Sequence, residues 1–200
     1  MNTLYFILFL VLSYLLGSTP TGYLIVKKKK GIDIRDVGSG ATGGTNVGRV
    51  LGGKWGIAVG VLDMLKSAIP VWIAQNFFHF LDWQIALVVL SAVLGHIYPI
   101  FLKFKGGKGV ATTVGAFLPL FGWKFIVFAV IIFIPIIYIL KITSFASLVF
   151  SSFLPLFLFT LTYSYEYLFL GLAICAIIWW THRENIKRIA QGREKKSGLL

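Results

Sequence analysis

Apolar residues in this chain fall in long blocks with almost no charge inside them, and the charged residues gather in short clusters between the blocks. Residues 1–26, 83–102, 125–140, 142–165 and 167–182 carry no charged side chain at all. A helix needs about 20 apolar residues to cross about 30 Å of hydrocarbon, and Gly or Pro inside such a block is tolerated where neighbouring helices re-satisfy the backbone. These blocks are read as spans one, three, five, six and seven. Residues 55–75 form span two despite Asp63 and Lys66, which lie three apart and pair or approach a site from below. Residues 109–121 make a short fourth segment that is tilted, covered by neighbours, or re-entrant. The pattern predicts an all-α integral membrane protein with about seven transmembrane helices, one polytopic domain over residues 1–200.

Composition agrees with the pattern. Of 200 residues, 58% are hydrophobic and 13% charged, with a mean hydropathy of +0.86, which is more apolar surface than a 22.3 kDa core can hide from water. The net charge of +12 does not mark a nucleic-acid binder, because the basic residues sit in short clusters between uncharged stretches. The lone cysteine, Cys175, lies in an apolar run, so there is no disulfide framework, and no His/Cys spacing suggests a metal site. The first block has no basic residue before it and no small-residue cleavage pattern after it, so it reads as a span rather than a leader. Lys27 to Lys30 follow it, which sets the N-terminus outside and, with seven crossings, the C-terminus in the cytoplasm. That topology puts 17 of the 19 Lys and Arg residues on the cytoplasmic side, with only Lys124 outside and Lys66 within a span.

Three polar clusters then share the cytoplasmic face. The loop at 27–54 centres on GSGATGGTNVGR, residues 38–49, where glycines allow backbone N–H groups to converge on an anion and Ser39, Asn46 and Arg49 add donors. It reads as a phosphate cradle or as a glycine-rich surface turn. FKGGKGVATT, residues 104–113, flanks a Gly-Gly turn with Lys105 and Lys108 and leads into the N-terminal end of the fourth segment, with Thr112 in its first turn. It is not a Walker A loop, since no Ser or Thr follows the lysine. THRENIKRI, residues 181–189, places His182 and Asn185 three apart on one helix face where the last span ends. Ser144 and Ser147 follow Lys141 at the start of span six, and the polar tail from about Gln191 to Leu200 reads as a frayed end. His96 and His79 are read as packing histidines. Together the clusters offer anion recognition, so the substrate carries phosphate, and no cofactor fingerprint is present. A small transporter of phosphate-containing solutes or an inactive scaffold is the alternative, although a transporter's site belongs near the midplane rather than at one surface.

These segments resemble the bacterial acyl-phosphate:glycerol-3-phosphate acyltransferases of the PlsY family. The resemblance rests on YLLGSTPTGYLI (14–25), the GSG…TNVGR loop, LDMLKSAIP (62–70), LGHIYPIFLKFKGGKGVAT (94–112), TSFASL (143–148) and HRENIKRI (182–189), in that order. It implies transfer of a fatty acyl group from acyl phosphate to the 1-hydroxyl of glycerol 3-phosphate at the cytoplasmic face of the bacterial plasma membrane, with no cofactor and no nucleic acid. It also implies Lys108, Ser147, His182 and Asn185 as catalytic residues, and Ser39, Asn46, Arg49, Lys105, Gly106, Gly107, Gly109 and Thr112 as substrate-binding residues. The chain departs from the family pattern at Ala41, Gly44 and Ser67.

Overall fold

The computed structural model describes residues 3–197. Ten α-helices follow one another: α1 (Thr3–Gly17), α2 (Thr21–Lys30), α3 (Gly44–Leu51), α4 (Gly53–Asn76), α5 (Asp82–Ile97), α6 (Val110–Phe121), α7 (Trp123–Leu140), α8 (Thr143–Thr162), α9 (Tyr165–Thr181) and α10 (Arg183–Ala190), with no strand among the described residues. Every apolar block of the sequence is helical, and the protein is an all-α integral membrane protein. Five helical stretches are long and apolar enough to cross a membrane: Thr3–Lys30, Gly53–Asn76, Asp82–Leu102, Trp123–Leu140 and Thr143–Thr162. A sixth is formed by α9 and α10 together, bent by 61° between them. Helix α6 has 12 residues and at 1.5 Å per residue reaches only about 18 Å, short of a full hydrocarbon thickness.

The surface confirms which solvent these helices face. Along α7, Ile131 and Ile139 are 66% and 72% exposed, a cost no water-facing helix would carry but one that lipid removes. Inside, helices approach closely where side chains are small. A Cβ on Gly95 of α5 would stand 2.2 Å from the Tyr14 carbonyl oxygen of α1, and one on Gly115 of α6 would stand 2.1 Å from the Met64 carbonyl of α4. Small residues at helix crossings are how membrane helices gain van der Waals contact when lipid supplies no hydrophobic drive. Four helices carry an internal proline (Pro70, Pro119, Pro135 and Pro155) and remain continuous.

Two breaks shape the end of the bundle that carries the polar loops. The first span is interrupted between α1 and α2 at Ser18, Thr19 and Pro20, and α4 supplies what the broken backbone needs. Lys66 donates to the Thr19 carbonyl at 2.8 Å and pairs with Asp63 at 2.8 Å, while Thr21 donates its hydroxyl to Asp63 at 2.6 Å. Asp63 and Lys66 therefore pair, and Asp63 also reaches the cavity described below. The second break is at His182. His182, read from the sequence as sharing a helix face with Asn185 where the last span ends, stands at the break itself: α9 ends at Thr181 and α10, which carries Asn185, leaves at a steep angle.

Candidate active site

The first loop is organised by one side chain. Asn46, 2% exposed on α3, accepts from the Ser39 N–H at 2.9 Å through Oδ1, and its amide donates to the Val37 and Ala41 carbonyls, each at 3.0 Å. Gly38, at φ +65°, must be glycine, because a Cβ there would lie 2.0 Å from Asn46 Oδ1. Asn46 was expected to bind substrate. Its polar atoms are hydrogen-bonded within the loop, so it shapes the first loop while bordering the main cavity described below. Ala41 contributes its carbonyl to this clamp, a role indifferent to its side chain. Gly44, the second departure, lies where a Cβ would meet the Gly56 carbonyl at 2.4 Å, so α3 sits tightly on α4.

The second loop is pinned from outside. The N–H groups of Lys105, Gly106 and Gly107 donate to the carbonyls of Leu102, Ile97 and His96 at 3.2, 3.1 and 3.0 Å. These three residues were expected to bind substrate, and their N–H groups are already bonded, which narrows the backbone donors of the turn left for an anion to Lys108 and Gly109. Lys105 is exposed and borders neither of the cavities described below, because the Gly-Gly turn sends it to the opposite side from Lys108. Thr112 is also corrected. It is fully buried, its hydroxyl donates to the Gly109 carbonyl at 2.9 Å, and its own carbonyl accepts from Ser67, the third departure, at 2.8 Å.

The remaining residues converge. Lys108 donates from Nζ to Asn185 Oδ1 at 2.5 Å, and Thr181 donates its hydroxyl to the Lys108 carbonyl at 3.1 Å. His182, 2% exposed, lies within 2.8 Å of the Ile178 carbonyl through Nδ1. A carbonyl can only accept, so Nδ1 carries the proton and Nε2 keeps its lone pair. Ser147 donates to the Thr143 carbonyl at 2.9 Å beside it. Burial pulls Lys108 down to about 8, with Arg188 and Arg49 lowering it further and Glu194 opposing them. Burial likewise lowers Arg49.

The sequence reading missed Glu194. The tail does not fray over residues 193–197 but crosses the site, while 198–200 lie outside the described residues. Glu194 accepts from Asn185 at 2.6 Å, Ser144 at 2.9 Å and Arg188 at 2.7 Å, and these bonds hold its carboxyl below the usual range against the effect of burial. Arg49 donates to the Lys196 carbonyl at 3.0 and 3.1 Å, and Lys195 reaches the Gly38 carbonyl. One acid among three bases, nine residues after Asn185, was the signal available in the sequence.

A cavity of about 570 Å³ joins these groups. Ser39, Arg49, Lys108, Ser147, His182 and Asn185 line its polar end, and Val61, Met64, Val114, Leu118, Val130 and Phe133 continue it as an apolar groove between α4, α6 and α7. A smaller cavity of about 270 Å³ lies on the other side of Lys108, bordered by Ser39, Gly106, Gly107, Trp180 and Arg183. The arrangement can hold an amphiphile with its anionic head among cations and its tail in the groove, and a second small anion beside it.

Residues 7–192 match the family described as glycerol-3-phosphate acyltransferase. The chain belongs to this family. The glycerol-3-phosphate acyltransferase of Aquifex aeolicus is 42% identical over 190 residues, covering 94% of this chain and 98% of that one, and that of Desulfovibrio desulfuricans is 41% identical over 189 residues, covering 94% and 83%. The crystal structure of PlsY (YgiH), an integral membrane glycerol 3-phosphate acyltransferase in its glycerol 3-phosphate form, superposes with a TM-score of 0.90 at 41% identity, covering 96% of this chain and 95% of that one. Its lysophosphatidic acid form gives 0.86 at 38% identity. The site of this acyltransferase family member thus lies where three loops meet at the ends of its helices.

Proposed function

We propose that this protein transfers a fatty acyl group from acyl phosphate to the 1-hydroxyl of glycerol 3-phosphate, giving 1-acylglycerol 3-phosphate and phosphate, at the cytoplasmic face of a bacterial plasma membrane. In this reading seven segments cross or enter the bilayer, with the N-terminus outside and the C-terminus in the cytoplasm. The observation that carries it is the single cavity with a cationic end and an apolar groove, which suits an acyl chain attached to a phosphate. The acyl tail lies along α4, α6 and α7, and the carbonyl carbon comes to rest near Lys108.

Attack by the glycerol 1-hydroxyl oxygen forms the ester C–O bond while the bond from the acyl carbon to the phosphate oxygen breaks. The leaving group is already good, so no acyl-enzyme is required, and holding the two reactants in line supplies much of the acceleration, up to about 7–11 kcal/mol in well-oriented systems. Arg49 and Lys108 hold phosphates, the Lys108 and Gly109 N–H groups face the oxygen that gains charge, and Asn185 with Ser147 orients the glycerol. The hydroxyl proton passes to His182 Nε2 or to the departing phosphate, which leaves with a basic oxygen able to take it.

The test is phosphate release by purified protein in lipid, with palmitoyl phosphate and glycerol 3-phosphate supplied separately and together. Release needs both substrates and falls by about 100- to 1,000-fold in Lys108→Ala, the scale for loss of one preorganised charge-stabilising group. Release from palmitoyl phosphate alone at the same rate, or none in folded protein, overturns the reading. His182→Gln separates the two proton acceptors: loss of nearly all turnover at unchanged substrate affinity assigns the base to His182, and a modest loss confined to affinity assigns it to the phosphate.

A further inference from the structure

Below the second loop, where Asp63 and His96 border the main cavity beneath Lys108, α4 and α5 bury a polar cluster that acyl transfer as described does not use. Asp63 and His96 are 1% and 4% exposed, and Asp63 Oδ1 accepts from Lys66 and Thr21 and stands 3.6 Å from His96 Nδ1. Its other oxygen, Oδ2, has no hydrogen-bond partner among the described residues. A buried ion pair is a weak source of stability, since apolar residues of equal volume often do as well. What this one does is geometric. The far side of the imidazole is packed against the second loop: a Cβ on Gly107 would come within 1.9 Å of His96 Nε2. The His96 and Ile97 carbonyls hold the Gly107 and Gly106 N–H groups, and the next residue is Lys108. Gly107 has no positive φ, so its lack of a side chain answers to space rather than to backbone conformation.

We propose that Asp63 and His96 are positioning residues for acyl transfer: Asp63, fixed by Lys66 and Thr21, holds the His96 imidazole, and the imidazole sets the height of the Gly106–Gly107 turn and so the place of the Lys108 ammonium. The inference rests on the acyltransferase reading, which wild-type turnover tests separately.

A double-mutant cycle tests it in purified enzyme that is active before mutation. Gly107→Ala drives a methyl into the imidazole and lowers kcat/KM by about 100-fold, the scale of a 1 Å misplacement. His96→Asn keeps a donor toward Asp63 but empties the space under Gly107, and costs about 10-fold by the same reasoning. On the His96→Asn background, Gly107→Ala costs less than about threefold, because its methyl now fills the emptied space. Such rescue does not arise if His96 serves only the stability of the fold. Costs that multiply, or His96→Asn within about threefold of wild type, overturn the proposal. Should His96→Asn fail to fold, Asp63→Asn combined with Lys66→Met decides, since it removes both charges together. A loss of about 10-fold at unchanged thermal midpoint supports the proposal, and wild-type kcat/KM overturns it.

Discussion

The two glycine-rich loops have similar compositions and opposite mechanics. The first carries its own clamp, with Asn46 tying Ser39, Val37 and Ala41 around one buried amide. The second has no such side chain and borrows its shape from the end of α5, through the Gly106 and Gly107 N–H groups that donate to Ile97 and His96. A loop that holds itself fails when its centre is removed. A loop held by its neighbour fails when the distance to that neighbour changes. Glycine therefore means different things in the two: at Gly38 it permits a left-handed turn beside Asn46, and at Gly106 and Gly107 it permits close approach of backbone to helix end.

Removing the clamp should give the largest effect. Asn46→Leu leaves the Ala41 carbonyl and the Ser39 N–H without partners and the Val37 carbonyl with the Gly40 N–H alone, at about 1–3 kcal/mol for each orphaned group, so both activity and the thermal midpoint should collapse. A thermal midpoint unchanged in Asn46→Leu would break the comparison. Next, Gly106→Ala should lift the second loop, since its Cβ would stand 2.3 Å from the His96 carbonyl and 2.4 Å from Pro99. Activity should fall by about 100-fold with little change in stability, because only one strap of the loop moves. Equal losses of stability in the two variants would show that the loops are built alike.

A third expectation concerns charge at the second loop. With its value in the empty site lowered to about 8, Lys108 loses its proton above that pH, while a bound phosphate favours the protonated form and restores the ordinary value. Phosphate binding above pH 8 must then take up a proton, so affinity should weaken by up to about tenfold per pH unit in that range. Calorimetry in buffers of different ionisation enthalpy should detect the uptake, and Lys108→Met should abolish it. The smallest effect is expected at Ala41→Asn. Position 41 serves the clamp through its carbonyl, so kcat/KM should stay within about twofold, the change expected of a substitution away from any named defect. A gain well beyond that would show that the side chain at 41 reaches a substrate.

The sequence was sufficient for the broad outline because its signals are one-dimensional. Apolar blocks marked every apolar helix, charge-free except for the one over α4 with Asp63 and Lys66, and the short fourth block proved to be a helix of 12 residues, too short to cross alone. The three clusters that share one end of the bundle were also visible, because helices connected by brief loops return polar residues to the same surface. Arg49, Lys108, Ser147, His182 and Asn185 were named from the sequence and all line one cavity.

What it left open depends on direction rather than composition. Lys105 and Lys108 flank the same Gly-Gly turn, and only the pairing of that turn with α5 sends one outward and the other inward. Asn46 and Thr112 have the right chemistry for ligands, yet nearer backbone carbonyls take their hydrogen bonds first. Glu194 sits in a polar tail with no periodicity, and it enters the site because Asn185, Ser144 and Arg188 present three donors to a single carboxylate. Class, blocks and inventory of chemistry were written along the chain. Which side chains face the cavity was decided by tertiary contacts, since a buried polar atom bonds to whatever partner the packing brings within about 3 Å.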